Sequence, residues 1–252
     1  MTAISQAQAL FDEGDHAWRH GDFEKATVRL EQSLKLFQEH GEPIGVLRAQ
    51  HFLANVAYSQ GDYALARARH EQVLHQSQEL ELVEGVASSL NNLGLVAMQQ
   101  RDYHAGHAWM QESLRLYREL AMEQSITAVL HNLGGLALHE GDAAAAQAWL
   151  AQSLVRSRDA GDTSFLARNL AAMATLAAQR GEYVWAARLW GAAETLEEQP
   201  STAFPNPDQP SDSREMEAAR TALGEETWTA AWTEGRGMPL EQVLEHAVHG
   251  MG

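Results

Sequence analysis

Small, apolar and polar positions recur along this chain at a fixed spacing of 40 residues, and that spacing predicts helices throughout. A Gly-Asp-aromatic turn or a close variant stands at Gly21-Asp22-Phe23, Gly61-Asp62-Tyr63, Arg101-Asp102-Tyr103, Gly141-Asp142-Ala143 and Gly181-Glu182-Tyr183. Seven residues before each turn lies a small residue: Gly14, Ala54, Gly94, Gly134 or Ala174. It follows Leu53, Leu93, Leu133 or Met173, with Glu13 as the deviant. Beyond each turn come Ala26, Ala66, Gly106, Ala146 or Ala186, and then Leu30, His70, Met110, Leu150 or Trp190. Each unit therefore reads as two helices. Gly ends the first, Asp caps the second by accepting a backbone N–H, and the small residues let the pair approach closely. Only Pro43 precedes residue 199, and it sits in an inter-unit turn where a first-turn proline is tolerated. No segment shows a convincing strand pattern.

These features resemble the tetratricopeptide repeat (TPR). The resemblance rests on Asn92-Leu93-Gly94 and Asn132-Leu133-Gly134, the downstream Ala column and the Gly-Asp-aromatic turn. The usual unit is about 34 residues, so these helices are longer than average. The resemblance implies an all-α fold, a right-handed superhelix of five helix pairs with a concave groove lined by the first helix of each pair. The expected units are about 4–41, 42–82, 83–121, 122–161 and 162–198 within a repeat region 1–198. Trp109, Trp149, Trp185 and Trp190 fall on second helices and are expected to pack.

Residues 199–212 hold four prolines, which predicts an extended linker. Residues 213–252 then carry three short helical patterns, 213–222, 225–235 and 239–248, with Gly235-Arg236-Gly237 expected to stop the second. A solenoid needs a terminal cap, and this segment is the natural one. Ala187–Glu194 together with Ala219–Glu226 and Trp232–Arg236 looks like the C-terminus of large bacterial ATP-binding regulators, which join a STAND-type ATPase to a C-terminal TPR sensor. That resemblance implies a signal-sensing region of an AfsR-like or LuxR-like transcriptional regulator. No phosphate loop of the form G-x-x-x-x-G-K-[ST] and no basic helix-turn-helix occur in the sequence. The expectation is thus a sensor region of such a protein, with a stand-alone TPR scaffold acting through protein contacts or self-assembly as the alternative.

Charge narrows the partners. With 18 Lys+Arg against 34 Asp+Glu the net charge is −16, which argues against a nucleic-acid or anionic-membrane binder. The absence of Cys excludes a disulfide scaffold and a Cys-ligated metal. No apolar run approaches the ~20 residues of a membrane span, and the N-terminus lacks a signal-peptide pattern, so a cytoplasmic location is expected. The acids are unevenly placed: 12 stand from Glu194 onward, whereas 44–60, 86–100, 124–139 and 163–180 have none. The groove is therefore expected to be neutral to mildly basic.

Its candidate ligand residues are Arg48, His51, Asn55, Tyr58, Asn91, Asn92, Met98, His131, Asn132 and Arg168. An Asn amide offers donors and an acceptor, so it can bracket a peptide backbone; an Arg can hold a carboxylate or phosphate. The bland alternative is that Asn92 and Asn132 merely bridge neighbouring helices. The expected partner is a peptide, a protein segment or a small polar ligand, neutral or anionic. Exposed array ends can also pair into a homo-oligomer, unless Trp228 and Trp232 cover the last repeat. His16, His20 and Asp12 have a spacing that could chelate a metal, yet no Glu lies between the histidines and no further ligand is evident. Ser33, Ser113 and Ser153 recur in one column as packing residues, and no nucleophile, base and orienter converge. A non-enzymatic chain without metal or cofactor is expected.

Overall fold

A computed structural model describes residues 2–198 and 214–249; the expected linker, 199–212, lies outside the described residues. The chain forms two compact units, 1–120 and 121–252. The first holds α1 (Ala3–Arg19), α2 (Phe23–Glu39), α3 (Pro43–Ser59), α4 (Tyr63–Glu79), α5 (Val83–Gln99) and α6 (Tyr103–Glu119). The second holds α7 (Glu123–Glu140), α8 (Ala143–Ala160), α9 (Thr163–Gln179), α10 (Tyr183–Glu197), α11 (Arg214–Leu223), α12 (Glu225–Gly237) and α13 (Leu240–His249). The fold is all-α, with consecutive helices packed as antiparallel pairs. Short turns lie at 40–42, 80–82, 120–122 and 161–162.

The turns work as the sequence predicts. Asp22, Asp62, Asp102 and Asp142 accept from the backbone N–H of Lys25, Leu65, Ala105 and Ala145 at 2.9–3.2 Å. Each such cap contributes about 1 kcal/mol. Glu182, one methylene longer, makes no such bond. The residue before the cap is left-handed: Gly21, Gly61, Gly141 and Gly181 have φ of 75–84°. Arg101 occupies the same site at φ 61°, a conformation costly for a side chain with a Cβ.

Within a repeat, the small residue of the first helix seats the large one of the second. A Cβ on Gly14, Gly94 or Gly134 would lie 2.7, 2.5 or 2.5 Å from Leu30, Met110 or Leu150. All three large side chains are fully buried. The serine column gains a role beyond packing. Ser33, Ser113 and Ser153 donate to the carbonyls of Ala7, Ala87 and Thr127 at 2.7–2.9 Å, tying second helix to first. In each unit neighbouring first helices also touch, α1 with α3 and α7 with α9.

The cap docks through the residues that carried the regulator-like pattern. Gly191 on α10 and Gly235 on α12 bring the two backbones together: a Cβ on Gly235 would lie 2.0 Å from the Arg188 carbonyl oxygen, and one on Gly191 2.3 Å from that of Trp232. Around this crossing Arg188 pairs with Glu234 at 2.8 Å, and Trp232 Nε1 donates to Glu194 at 2.9 Å. Arg236 bonds Glu194, and Glu198 at 2.9 Å. Trp228 packs on Trp190 with ring centroids 5.9 Å apart, so both cap tryptophans cover the last repeat. One expectation fails here: α12 runs through Gly235-Arg236-Gly237 to its end instead of stopping there. Gly235 serves close approach, and only the extended backbone at Met238 ends the helix.

Gly235→Ala should lower the melting temperature sharply, because backbone must move to admit the methyl group; overpacking of this kind costs about 1–3 kcal/mol or more. Gly237→Ala has no atom within 4 Å of its Cβ and should change little. Equal effects of the two substitutions in thermal denaturation would refute this account of the crossing.

Candidate functional site

The faces of the first helices carry the candidate residues, and each unit is built differently. In unit 1–120 the rows of α1, α3 and α5 are linked by side-chain rungs. Trp18 Nε1 donates to Ser59 Oγ at 3.0 Å, and Gln99 Nε2 donates to the Tyr58 hydroxyl at 3.2 Å. Asn92 Nδ2 donates to Asn55 Oδ1 at 3.2 Å and approaches His51 Nε2 at 3.4 Å. The amide donates there, so the His51 proton sits on Nδ1. Asn91 donates to Asn92 Oδ1 at 3.4 Å. Arg48 is exposed; its guanidinium lies 4.4 Å above the Phe11 ring and reaches Gln8 Oε1 at 3.3 Å. Beneath these groups Phe11, Phe52 and Trp18 form an edge-to-face cluster with centroids 4.8 and 5.7 Å apart.

The structure therefore separates the candidates in this unit. Asn55 and Asn92 brace one helix against the next, as the bland reading held for Asn92. Arg48 is exposed, whereas Asn91 is half-buried beside Asn92. Met98 is a correction: it is 6% exposed and packs inside. Its column holds the half-buried Tyr58 one repeat earlier, whose hydroxyl keeps a polar partner. The apolar thioether has none to seek and is driven inward.

In unit 121–252 the network is closed. His131 Nδ1 lies 3.0 Å from Asn169 Oδ1, and Asn169 Nδ2 donates to Ser153 Oγ at 2.9 Å and Ser157 Oγ at 3.1 Å. The Ser153 and Ser157 hydroxyls donate to the carbonyls of Thr127 and Ser153. Arg168 sits over Phe165 at 5.0 Å and is half-buried, as are His131 and Asn132. Asn169, fully buried and absent from the expected set, is the hub of this network.

His70 is the other residue that sequence reasoning passed over. It fills the interior column otherwise held by Leu30, Met110, Leu150 and Trp190, is 1% exposed, and its Nδ1 has no hydrogen-bond partner. Its ring meets that of His51 at 5.4 Å. The break in an apolar column was the available signal. Burial lowers the pKa of His51 to about 4 and that of His70 to about 3, the latter aided by the charge His51 would carry. Burial, then the Arg168 charge, lower His131 to about 3 against the opposing Asn169 bond. All three imidazoles are neutral at pH 7. Elsewhere the rings of His16 and His20 stack at 4.1 Å, but among the described residues no group of three or more ligating side chains could hold a metal. No helix among them is long and apolar enough to cross a membrane.

Residues 45–122 match the tetratricopeptide repeat family model. That stretch, from α3 to the turn after α6, carries tetratricopeptide repeats. No curated protein matches its sequence. Among solved structures, the chain is similar to BtubC (BKLC) from P. vanneervenii, at 23% identity and TM-score 0.64, over 82% of this chain and 85% of that one. It is also similar to a Rap protein complexed with Competence and Sporulation Factor, at 12% identity and TM-score 0.71, over 98% of this chain and 66% of that one. Aspartyl phosphate phosphatase F from Bacillus subtilis gives 12% and 0.65, over 95% and 62%. The chain spans about two thirds of the length of these last two proteins. At such identities the likeness is one of fold.

His51, His70 and His131 make folding stability acid-sensitive. Unfolded imidazoles protonate near pH 6.5, whereas the folded ones resist until about pH 3–4, so between these values the unfolded chain binds more protons. Stability is then full above about pH 7 and falls as pH drops through 6, by up to about 1.4 kcal/mol per pH unit for each imidazole. His70→Leu should stabilise more at pH 5 than at pH 8 in urea denaturation; an equal gain at both would show that His70 contributes no proton linkage.

Proposed function

We propose that the first-helix faces of this TPR chain bind a peptide, a protein segment or a small polar ligand of neutral or negative charge. The observation that carries the reading is on α3 and α5. Residues 44–60 and 86–100 hold no carboxylate, and they carry the exposed Arg48 and the half-buried Asn91 beside a braced polar lattice. Side chains held in place before a ligand arrives lose less entropy on binding, so such a surface favours recognition. The guanidinium suits an acidic group, and the amide suits a peptide bond. The Rap protein of the same fold was crystallised in complex with Competence and Sporulation Factor, which supports a ligand-binding use of this architecture. We further propose that the binding is non-enzymatic and serves signal sensing in a bacterial transcriptional regulator, as the tail resemblance implies. A ligand that prefers one arrangement of the repeats would shift an attached or partner ATPase toward one state.

A thermal-shift screen with short peptides and oligosaccharides should find a stabilising ligand. Arg48→Ala and Asn91→Ala should each weaken that ligand about tenfold, the loss of a charge-assisted or amide hydrogen bond, with little change in melting temperature. Asn92→Ala should instead lower the melting temperature. Unchanged affinity in both Arg48→Ala and Asn91→Ala would rule out this face as the site.

A further inference from the structure

On unit 1–120, away from the first-helix rungs, a cleft of about 470 Å³ opens where the end of α2, the start of α3 and the end of α4 meet. Its volume lies in the range of ligand-binding sites. Phe37, Pro43, Val46, Leu47 and Leu80 form apolar walls. Glu42 and Glu79 add two carboxylates, and no Lys or Arg lines the cleft. Gln76 also lines it, and its Oε1 is buried without a hydrogen-bond partner. At the rim Leu80 is 43% exposed, and Ile44, next to Pro43, is 50% exposed. His75 Nδ1 lies 3.6 Å from Glu79 one turn back on α4. An apolar wall with two carboxylates, an unpartnered acceptor and no cationic side chain is half of a complementary pair.

We propose that this cleft docks a basic, apolar segment of a partner protein, with an arginine entering it beside a bulky apolar residue. An arginine matches each feature at once. Its methylene stem covers apolar wall while its head stays polar. The guanidinium offers five N–H donors, enough for the Glu42 and Glu79 carboxylates and for Gln76 Oε1. The neighbouring apolar residue covers Leu80 and Ile44. This site is independent of the first-helix faces: it takes a positive partner, whereas the stretches 44–60 and 86–100 of those helices hold no carboxylate and take a neutral or negative one.

The test measures fluorescence anisotropy of the full chain with two labelled peptides, one alternating arginine with leucine and phenylalanine, the other carrying glutamate in place of arginine. The arginine peptide should bind and the glutamate peptide should not. Glu42→Lys with Glu79→Lys should weaken the arginine peptide at least tenfold and admit the glutamate peptide. Glu24→Lys with Glu31→Lys, an equal charge change at exposed positions of α2 that do not line the cleft, should shift affinity less than twofold. Leu80→Ser should weaken binding severalfold, whereas Arg48→Ala and Asn91→Ala should not. Circular dichroism melts confirm that each variant is folded. Failure of the arginine peptide to bind, or an equal loss in the control pair, would overturn the proposal; the latter would mean attraction to the overall negative charge alone.

Discussion

The rest of the molecule depends on how closely the two helices of a repeat can approach, and that distance is set by a small residue facing a large one. Gly14, Gly94 and Gly134 leave room that Leu30, Met110 and Leu150 fill, with less than 3 Å between the missing Cβ and the seated side chain. Nothing larger than a hydrogen fits on the first helix at these points. The close approach also brings the serine hydroxyls within reach of carbonyls on the partner helix, so a hydrophobic seat and a hydrogen-bonded rung reinforce one another. Interlocking of this kind fixes helix register, and register determines which side chains of the first helices stand on their open face.

On that face, polar groups are used in two ways. Some are spent on cohesion: Asn55 with Asn92, Tyr58 with Gln99, Trp18 with Ser59, and the His131–Asn169–Ser153 chain. Others lie beside this lattice: Arg48 is exposed and held by Gln8 and Phe11, and Asn91 is half-buried against Asn92. Binding and stability are therefore coupled through shared residues. A substitution such as Asn92→Ala affects the lattice before it affects any ligand. His70 marks the limit of this economy. A buried imidazole with an unpartnered nitrogen is less favourable than the leucine found in other repeats, and the structure shows no contact that offsets it.

The C-terminal helices show how a motif can be structural. The residues resembling the tails of bacterial regulators, Arg188, Gly191 and Glu194 with Trp232, Glu234, Gly235 and Arg236, meet at a single helix crossing. Two glycines permit backbone contact, and the charged and aromatic groups close around them. The pattern thus encodes the docking of α12 on α10 and covers the apolar end that a repeat array leaves exposed. What it implies about an attached ATPase rests on the resemblance alone.

Much of the fold was legible because it is local and periodic. The 40-residue spacing, the Asp caps, the left-handed turn positions and the small columns all act within one helix pair, and each has a residue type that physical chemistry requires. The acid-free stretches 44–60, 86–100, 124–139 and 163–180 were legible too, since net charge along a segment needs no coordinates. Tertiary structure alone decided which polar residues remain available. Asn55, Asn91 and Asn92 are alike in sequence, but partners 37 and 41 residues away claim some of their donors and acceptors. Met98 and Tyr58 share a column yet part company, because burial depends on whether a neighbouring helix offers a hydroxyl its partner. Gly235 reads as a helix stop and proves to be a contact point for the same reason: a missing side chain signals a broken helix or a close neighbour, and only the packing of α10 against α12 distinguishes them.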